Sequence, residues 1–328
     1  MHTNWEMLGH QWAVDLLKKH LAHNHLRHAY LFTGPDGIGR RALAIHFAQA
    51  INHPERIYDP EDTHSQQIAR MQHPDLSIVQ RQEGDRDIKI EAVRELQRAL
   101  SLTPYIANSR IALLLDFEQA SESASNALLK TLEEPPGRVV LMITAESTDA
   151  LLPTIVSRCE VIRLRPLPLG MLADGLEKKL KIPKDQAKLL AHLSNGKPGT
   201  AIHLAQNPAR LEMRSKALDT LHSLLSSSRT DRFAHANRFY RNKPELVDTL
   251  AIWLTYWRDV LQQTTSSQTP LINLDRAEEI ARVAQQLDTA AAHQATRQLE
   301  TMLQDLRTNI EPRLAAEALL LRLPTISP

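Results

Sequence analysis

The sequence predicts an α/β domain followed by two helical ones, and three observations carry that prediction. Short, uninterrupted apolar runs alternate with helical periodicity through about residue 165, the pattern of a parallel sheet covered by helices on both faces. Only 10 glycines occur in 328 residues, and three of them are Gly34, Gly37 and Gly39. None follows Gly199. A stretch rich in Leu, Ala, Gln, Arg and Glu without glycine has the helix formers and lacks the positive-φ turns that strands demand. Pro166 and Pro168 mark one boundary and Asn207-Pro208 another. The expected segments are therefore 1–166 (α/β core), 167–207 (small helical domain) and 208–328 (larger helical domain).

Leu8, Trp12, Leu16, Leu17 and Leu21 recur at helical spacing and predict an amphipathic opening helix. Residues 29–33 form a first strand that stops at the glycine cluster. A helix over 40–51 offers Leu43, Ile45, Phe47 and Ala48 for burial. Residues 54–74 are polar, hold three prolines and read as a surface excursion with one helical turn. A second strand covers 76–79. Ile90, Val93, Leu96, Ala99 and Leu100 mark the next helix, and 111–115 the third strand. A helix over 121–132 closes before Pro135-Pro136. Strands four and five fall at 139–143 and 161–164, and a short helical segment covers 169–206.

Composition excludes several function classes. With 39 Lys+Arg against 38 Asp+Glu and a net charge of +1, no strongly basic face is expected to grip nucleic acid unaided. Aromatics at 4% are too sparse for base-stacking platforms. A single cysteine, Cys159, rules out an internal disulfide and a multi-cysteine zinc knuckle, and it reads as a small buried residue. A reducing compartment, the cytoplasm, is expected. The longest apolar runs and the opening residues match neither a membrane span nor a signal segment.

Gly34-Pro35-Asp36-Gly37-Ile38-Gly39-Arg40-Arg41 stands between a strand and a helix, where a phosphate-cradling loop would stand. The working pattern needs a lysine for the β and γ oxygens and a hydroxyl for Mg²⁺. Arg40 replaces the lysine, and Arg41, which has donors only, replaces the hydroxyl. Asp36 adds a negative charge. The expected result is a glycine turn with the shape of a phosphate loop and none of its chemistry. The third strand runs into Asp116-Phe117-Glu118, where Phe117 takes the place of the acid that would polarise water. Asp116 reads as a strand-end carboxylate paired with Arg40 or Arg41, and Glu118, one residue on, is expected to point elsewhere.

The string Ser125-Asn126-Ala127-Leu128-Leu129-Lys130-Thr131-Leu132-Glu133-Glu134-Pro135-Pro136, with His28-Ala29-Tyr30-Leu31-Phe32-Thr33-Gly34 and Ser157-Arg158-Cys159, resembles the AAA+ clamp-loader family of bacterial DNA polymerase III. Within that family the chain is similar to the delta-prime branch. The resemblance covers residues 5–205 by motif, and the remainder agrees in length and helical character. It implies an AAA+ P-loop-like core, a small helical lid and an all-helical collar. It also implies a hetero-pentameric ring with gamma/tau and delta subunits that loads a sliding clamp onto primed DNA. Arg40, Arg41, Phe117 and the arginine-free run 195–201 depart from the ATP-hydrolysing members. The implied role is therefore non-hydrolysing, with no cofactor of its own and ATP held by neighbouring subunits.

By position alone Arg158 caps the preceding short helix or makes an ion pair within the chain; the resemblance implies an arginine finger acting in trans, with Ser157 and Cys159 completing its motif. Lys130 is either an ordinary solvated lysine or, by the resemblance, a residue facing DNA. Many family members carry a four-cysteine zinc module after the first strand-helix pair. Residues 52–74 have only His53, His64 and His73 in its place, at intervals unlike compact ligand spacing, so no zinc is expected. Two other functions compete: an active gamma/tau-type ATPase, opposed by Arg40, Arg41 and Phe117, and a stand-alone nucleic-acid-binding module, opposed by the neutral charge.

Overall fold

The computed structural model describes residues 5–23, 25–52, 62–239, 243–306 and 311–326. The chain divides into two compact units, one of Met1–Gly175 with Lys197–Thr200 and one of Leu176–Gly196 with Ala201–Pro328. The helices between 167 and 207 are thus shared between two units.

In the first unit the order is α1 (Gln11–Ala22), β1 (Ala29–Thr33), α2 (Arg40–Asn52), α3 (Thr63–Ala69), β2 (Leu76–Val79), α4 (Ile90–Leu100), β3 (Arg110–Leu114), α5 (Glu122–Glu133), β4 (Val139–Ala145), α6 (Pro153–Val156) and β5 (Glu160–Arg163). The strands form one parallel sheet in the order β2-β3-β4-β1-β5, with Leu31 of β1 opposite Ile143 of β4 and Val161 of β5. Every residue of β1, β3 and β4 is buried. The reason is that successive side chains serve two different cores. Tyr30, Phe32, Leu113 and Met142 join Val14, Leu17 and Phe47 on one face. Leu31, Leu114, Leu141 and Ile143 join Val93, Leu96 and Leu128 on the other. A strand with no wet face reads as a continuous apolar run.

Two expectations are corrected here. Trp12 is 53% exposed, whereas Ala13, Val14 and Leu17 form the buried face of α1; at ~100° per residue Trp12 lies about 150° round the helix from that face. Ile45 likewise is only partly buried on α2. The segment before β2 is more than a polar surface loop. Asp62 caps α3 by accepting from the Ser65 amide at 3.1 Å, and Gln49 of α2 donates to Ser65 O at 3.0 Å. Ser65, Ile68 and His73 are buried, and the His64 and His73 rings lie 5.5 Å apart. His53 lies outside the described residues.

A buried carboxylate fixes the approach to β3. Asp75 accepts from the amides of Tyr105, Ile106 and Ala107 at 2.7, 2.8 and 2.9 Å, with the Arg110 guanidinium 3.5 Å away. Burial by itself would raise the Asp75 pKa, but those amides and the Arg110 charge outweigh it and hold the carboxyl below its ordinary value.

After α7 (Leu169–Leu180), α8 (Lys184–Leu193) and α9 (Pro198–Gln206), the remaining elements are α10 (Pro208–Ser226), α11 (Arg229–Phe239), α12 (Lys243–Thr264), α13 (Ala277–Gln286), α14 (Thr289–Asp305) and α15 (Pro312–Arg322). Among the described residues from 208 onward there is no strand. Leu250, Trp253, Trp257, Val260, Leu299 and Leu320 centre the core of this unit, and Trp253 Nε1 donates to Ala217 O at 2.8 Å. Asp259, fully buried, repeats the device of Asp75: it accepts from the amides of Ile272 and Asn273 at 3.0 and 2.7 Å. Among the described residues no helix is long and apolar enough to cross a membrane.

Arg232 of α11 is 1% exposed and donates to carbonyls of two chain regions. Leu224 O and Leu225 O lie at 2.8 and 3.1 Å, and Pro324 O at 3.0 Å. Arg232→Ala strands these acceptors in the interior and is expected to cost about 3 kcal/mol or more. Arg232→Lys should restore little, because one ammonium cannot span a planar fork. Urea unfolding measures this; a loss under about 1 kcal/mol for the alanine variant would remove the staple role.

Candidate functional site

The loop between β1 and α2 is shaped by donors that reach its carbonyls from three separate segments, α2, the start of α9 and His10. Gly34 O accepts from Arg40 Nη1 at 2.8 Å, and Gly34 N donates to Glu146 O at 3.1 Å. Gly37, at φ 75°, turns its carbonyl to the amides of Gly199 and Thr200 at 2.8 and 3.2 Å. These amides open α9, and helix N-termini have unsatisfied N–H groups to offer. A Cβ on Gly199 would sit 2.8 Å from Gly37 O, and one on Gly37 would strike the Thr200 side chain. Both glycines are thus needed for the approach. Ile38 O lies 3.1 Å from the buried His10 Nε2.

Arg40, the first residue of α2, is 7% exposed and lies within this turn. Its Nη2 donates to Asp116 Oδ1 at 2.9 Å, so the expected pair is made by Arg40. Arg41 instead points its Nη2 at Met71 Sδ, 3.2 Å away. Asp116 follows the end of β3 in the left-handed region, φ 48°, and its amide donates to Thr144 Oγ1 of β4 at 2.7 Å. Phe117 is buried in the core. Glu118 follows in the tight turn at 117–119 and is half-buried. Burial pushes its carboxyl up, and it feels the charges of Arg40, Asp116 and Glu146. The site therefore presents a guanidinium engaged with a carboxylate and a carbonyl, with no hydroxyl at position 41. Among the described residues no group of three or more His, Cys, Asp or Glu is arranged to hold a metal ion.

Ser157-Arg158-Cys159 follows the four-residue helix α6. Arg158 Nη1 donates to Thr154 O at 3.0 Å and Nη2 to Glu133 Oε1 at 2.7 Å. The arginine thus makes both contacts that its position alone predicts. The two side chains remain 34% and 52% exposed. Ser157 Oγ donates to Thr154 O at 3.2 Å. Burial pushes the Cys159 thiol up to about 12, which keeps it protonated and unreactive at neutral pH. Lys130 is exposed on α5, one turn before Glu133, while Ala124, Leu128 and Leu132 face inward. Sequence reasoning assigned nothing to His10, Thr144 or Glu133. Only Glu133 had a signal, its place in the quoted string.

Burial holds the His10 imidazole below its ordinary 6.5, against a smaller opposing effect of the bond to Ile38. Its contribution to stability is therefore complete above about pH 6.5 and declines as the pH falls below that value, because the unfolded chain takes up the proton more readily. His10→Gln should flatten the stability profile below pH 6.5 relative to the parent. Superimposable profiles in urea titrations across pH 5–8 would contradict this.

The family model described as DNA polymerase III, delta subunit, matches residues 9–168, and that for its C-terminal part matches residues 208–325. The chain is 35% identical over 206 residues to the DNA polymerase III subunit delta′ of Pseudomonas aeruginosa, covering 60% of this chain and 61% of that one. The matched stretch is thus less than two thirds of the relative's length. To the delta′ subunit of Bacillus subtilis it is 28% identical over 280 residues, 84% of each chain. The tau/gamma subunit of Haemophilus influenzae is 28% identical over 171 residues, 52% of this chain and 25% of that one. In fold, a DNA polymerase III gamma subunit-related protein from Thermotoga maritima superposes with a TM-score of 0.53 at 16% identity, covering 93% of this chain and 97% of that one. With the sheet unit and the helical part both matched by delta-subunit models, and delta′ subunits among its relatives, the chain belongs to the DNA polymerase III delta-subunit family.

Proposed function

We propose that this chain is a delta-prime-type, non-hydrolysing member of a clamp-loader ring and presents Arg158 to nucleotide held by a neighbouring subunit. One observation above all supports the first half: Arg40 fills the phosphate-loop position and bonds Gly34 O and Asp116. A cradle for phosphate needs inward N–H groups, a free cation and a metal-binding hydroxyl. Here the carbonyls of Gly34, Gly37 and Ile38 are met by donors of the chain itself. In this reading the chain binds neither ATP nor zinc, and ATP is held by gamma/tau neighbours. A delta subunit completes the hetero-pentamer, the helical residues 208–328 form its collar, 167–207 its lid, and Lys130 faces primed DNA beneath a sliding clamp. The setting is the cytoplasm.

The bond between Arg158 and Glu133 is compatible with a role in trans. An ion pair this exposed is worth ~0–1 kcal/mol, so a polyphosphate that offers a guanidinium two oxygens outcompetes it. Arg158 already stands at the surface at the end of α6, held by Thr154 O, and needs only a side-chain rotation to leave Glu133.

Two expected outcomes follow. Calorimetric titration of the isolated chain with MgATP should give no binding at micromolar concentration; micromolar, Mg²⁺-dependent binding would instead favour the gamma/tau-type reading. Arg158→Ala in a reconstituted complex should leave assembly intact and lower ATP turnover at the facing site by about 10³-fold or more. Arg158→Lys should recover little of that loss, since a point charge does not reproduce the fork. Unchanged single-site turnover in both variants would return Arg158 to a purely structural role.

A further inference from the structure

The free edge of the sheet carries a second candidate site, away from the loop. Among the described residues β5 pairs only with β1, so its other edge is an outer one. The amide of Leu164 donates to Thr33 O at 2.7 Å, toward β1. Backbone groups alternate along a strand, so those of Val161, Arg163 and Arg165 turn to the open side. A groove of about 690 Å³ runs along this edge, between the start of α1 on one side and Leu167 and Met171 on the other. Trp12 and Met171, 53% and 58% exposed, stand in its walls. Arg163 and Arg165 are exposed within it, and among the described residues neither Asp nor Glu lines it. Glu160, the acid at the start of β5, is already beside Arg27 at 3.8 Å.

Exposed edges are ordinarily blunted by charge, and two arginines could serve that purpose alone. An exposed tryptophan and methionine beside them work in the opposite direction, since they add adhesive surface to an open ladder. Trp and Arg are the residues that dominate binding energy where surfaces meet, and methionine adapts its shape to a partner. We infer that the β5 edge groove docks an extended, acidic segment of a partner protein, which adds one strand to the sheet beside Val161, Arg163 and Arg165. The backbone edge supplies affinity, Trp12 and Met171 receive apolar side chains, and the two guanidiniums select carboxylates. A single-stranded nucleic acid fits less well. Its phosphates are acceptors only, and the alternating N–H and C=O groups of the edge would be left half satisfied.

Trp12 provides its own reporter, because Trp5, Trp253 and Trp257 are 2%, 0% and 0% exposed. The probe is a capped peptide of about eight residues, the length of a strand, alternating Asp and Val, added to the full chain. Its counterparts carry Lys in place of Asp, or are oligo-dT of matching length. The acidic peptide should blue-shift the Trp12 emission, and Trp12→Phe should abolish the change. Arg163→Glu with Arg165→Glu should weaken the acidic peptide about tenfold or more and gain binding of the lysine peptide, as charge complementarity requires. That gain also shows that the variant is folded. The inference is overturned if the acidic peptide gives no response up to millimolar concentration, if the lysine peptide binds the parent equally well, if the charge-reversed variant keeps its preference, or if oligo-dT binds more tightly than the acidic peptide.

Discussion

A buried guanidinium needs acceptors for its donors and a countercharge, and Arg40 obtains both from Gly34 O and Asp116. Much of the loop's surroundings follows from that requirement. Asp116 must stand at the end of β3 with its carboxylate turned inward, which its left-handed backbone and the Thr144 hydroxyl arrange. Gly34 must turn its carbonyl toward α2. The neighbouring carbonyls are then met by His10 and by the first amides of α9. A phosphate loop is a ring of donors aimed at an acceptor; this turn is a set of acceptors surrounded by donors.

The sheet was legible in the sequence because its cause is local. A strand that faces two cores must be apolar throughout, and 29–33 and 139–143 declare that in five residues each. The Arg40–Asp116 pair was legible for a related reason: a parallel sheet with its loops at one edge brings the strand-end acid and the loop base together. What stayed hidden depends on contacts between distant residues. Asp75 meets Tyr105 across 30 positions, His10 meets Ile38 across 28 and Arg158 meets Glu133 across 25. Such bonds leave no periodicity. Trp12 misled because an apolar residue at the right interval is counted toward the core whichever face it occupies. Helix α3 was read as a single turn because its polar residues hid a cap at Asp62 and one buried apolar residue, Ile68.

Charge is used differently in the interior and at the surface. Asp75 and Asp259 are buried and tie loop amides to a fixed place. Arg232 does the converse with carbonyls. These are permanent, since removing either partner leaves a polar group without water. Arg158 with Glu133, by contrast, is half in solvent and readily exchanged. The residue proposed to act on another molecule is therefore held by the kind of bond that is easily surrendered.

The Arg232 staple has a consequence for how the helical unit opens. Residues that follow a last helix ordinarily fray and lose amide protons to solvent quickly. Here Pro324 O is bonded to Arg232, and the Ile326 amide donates to Leu225 O at 3.0 Å. Since Leu225 O and Leu224 O are also held by Arg232, the end of α10, α11 and residues 323–326 share one set of bonds. They behave as a single cooperative unit of opening, so that amide protection near 326 is set by the stability of α10 and α11 rather than by distance from the end of a helix.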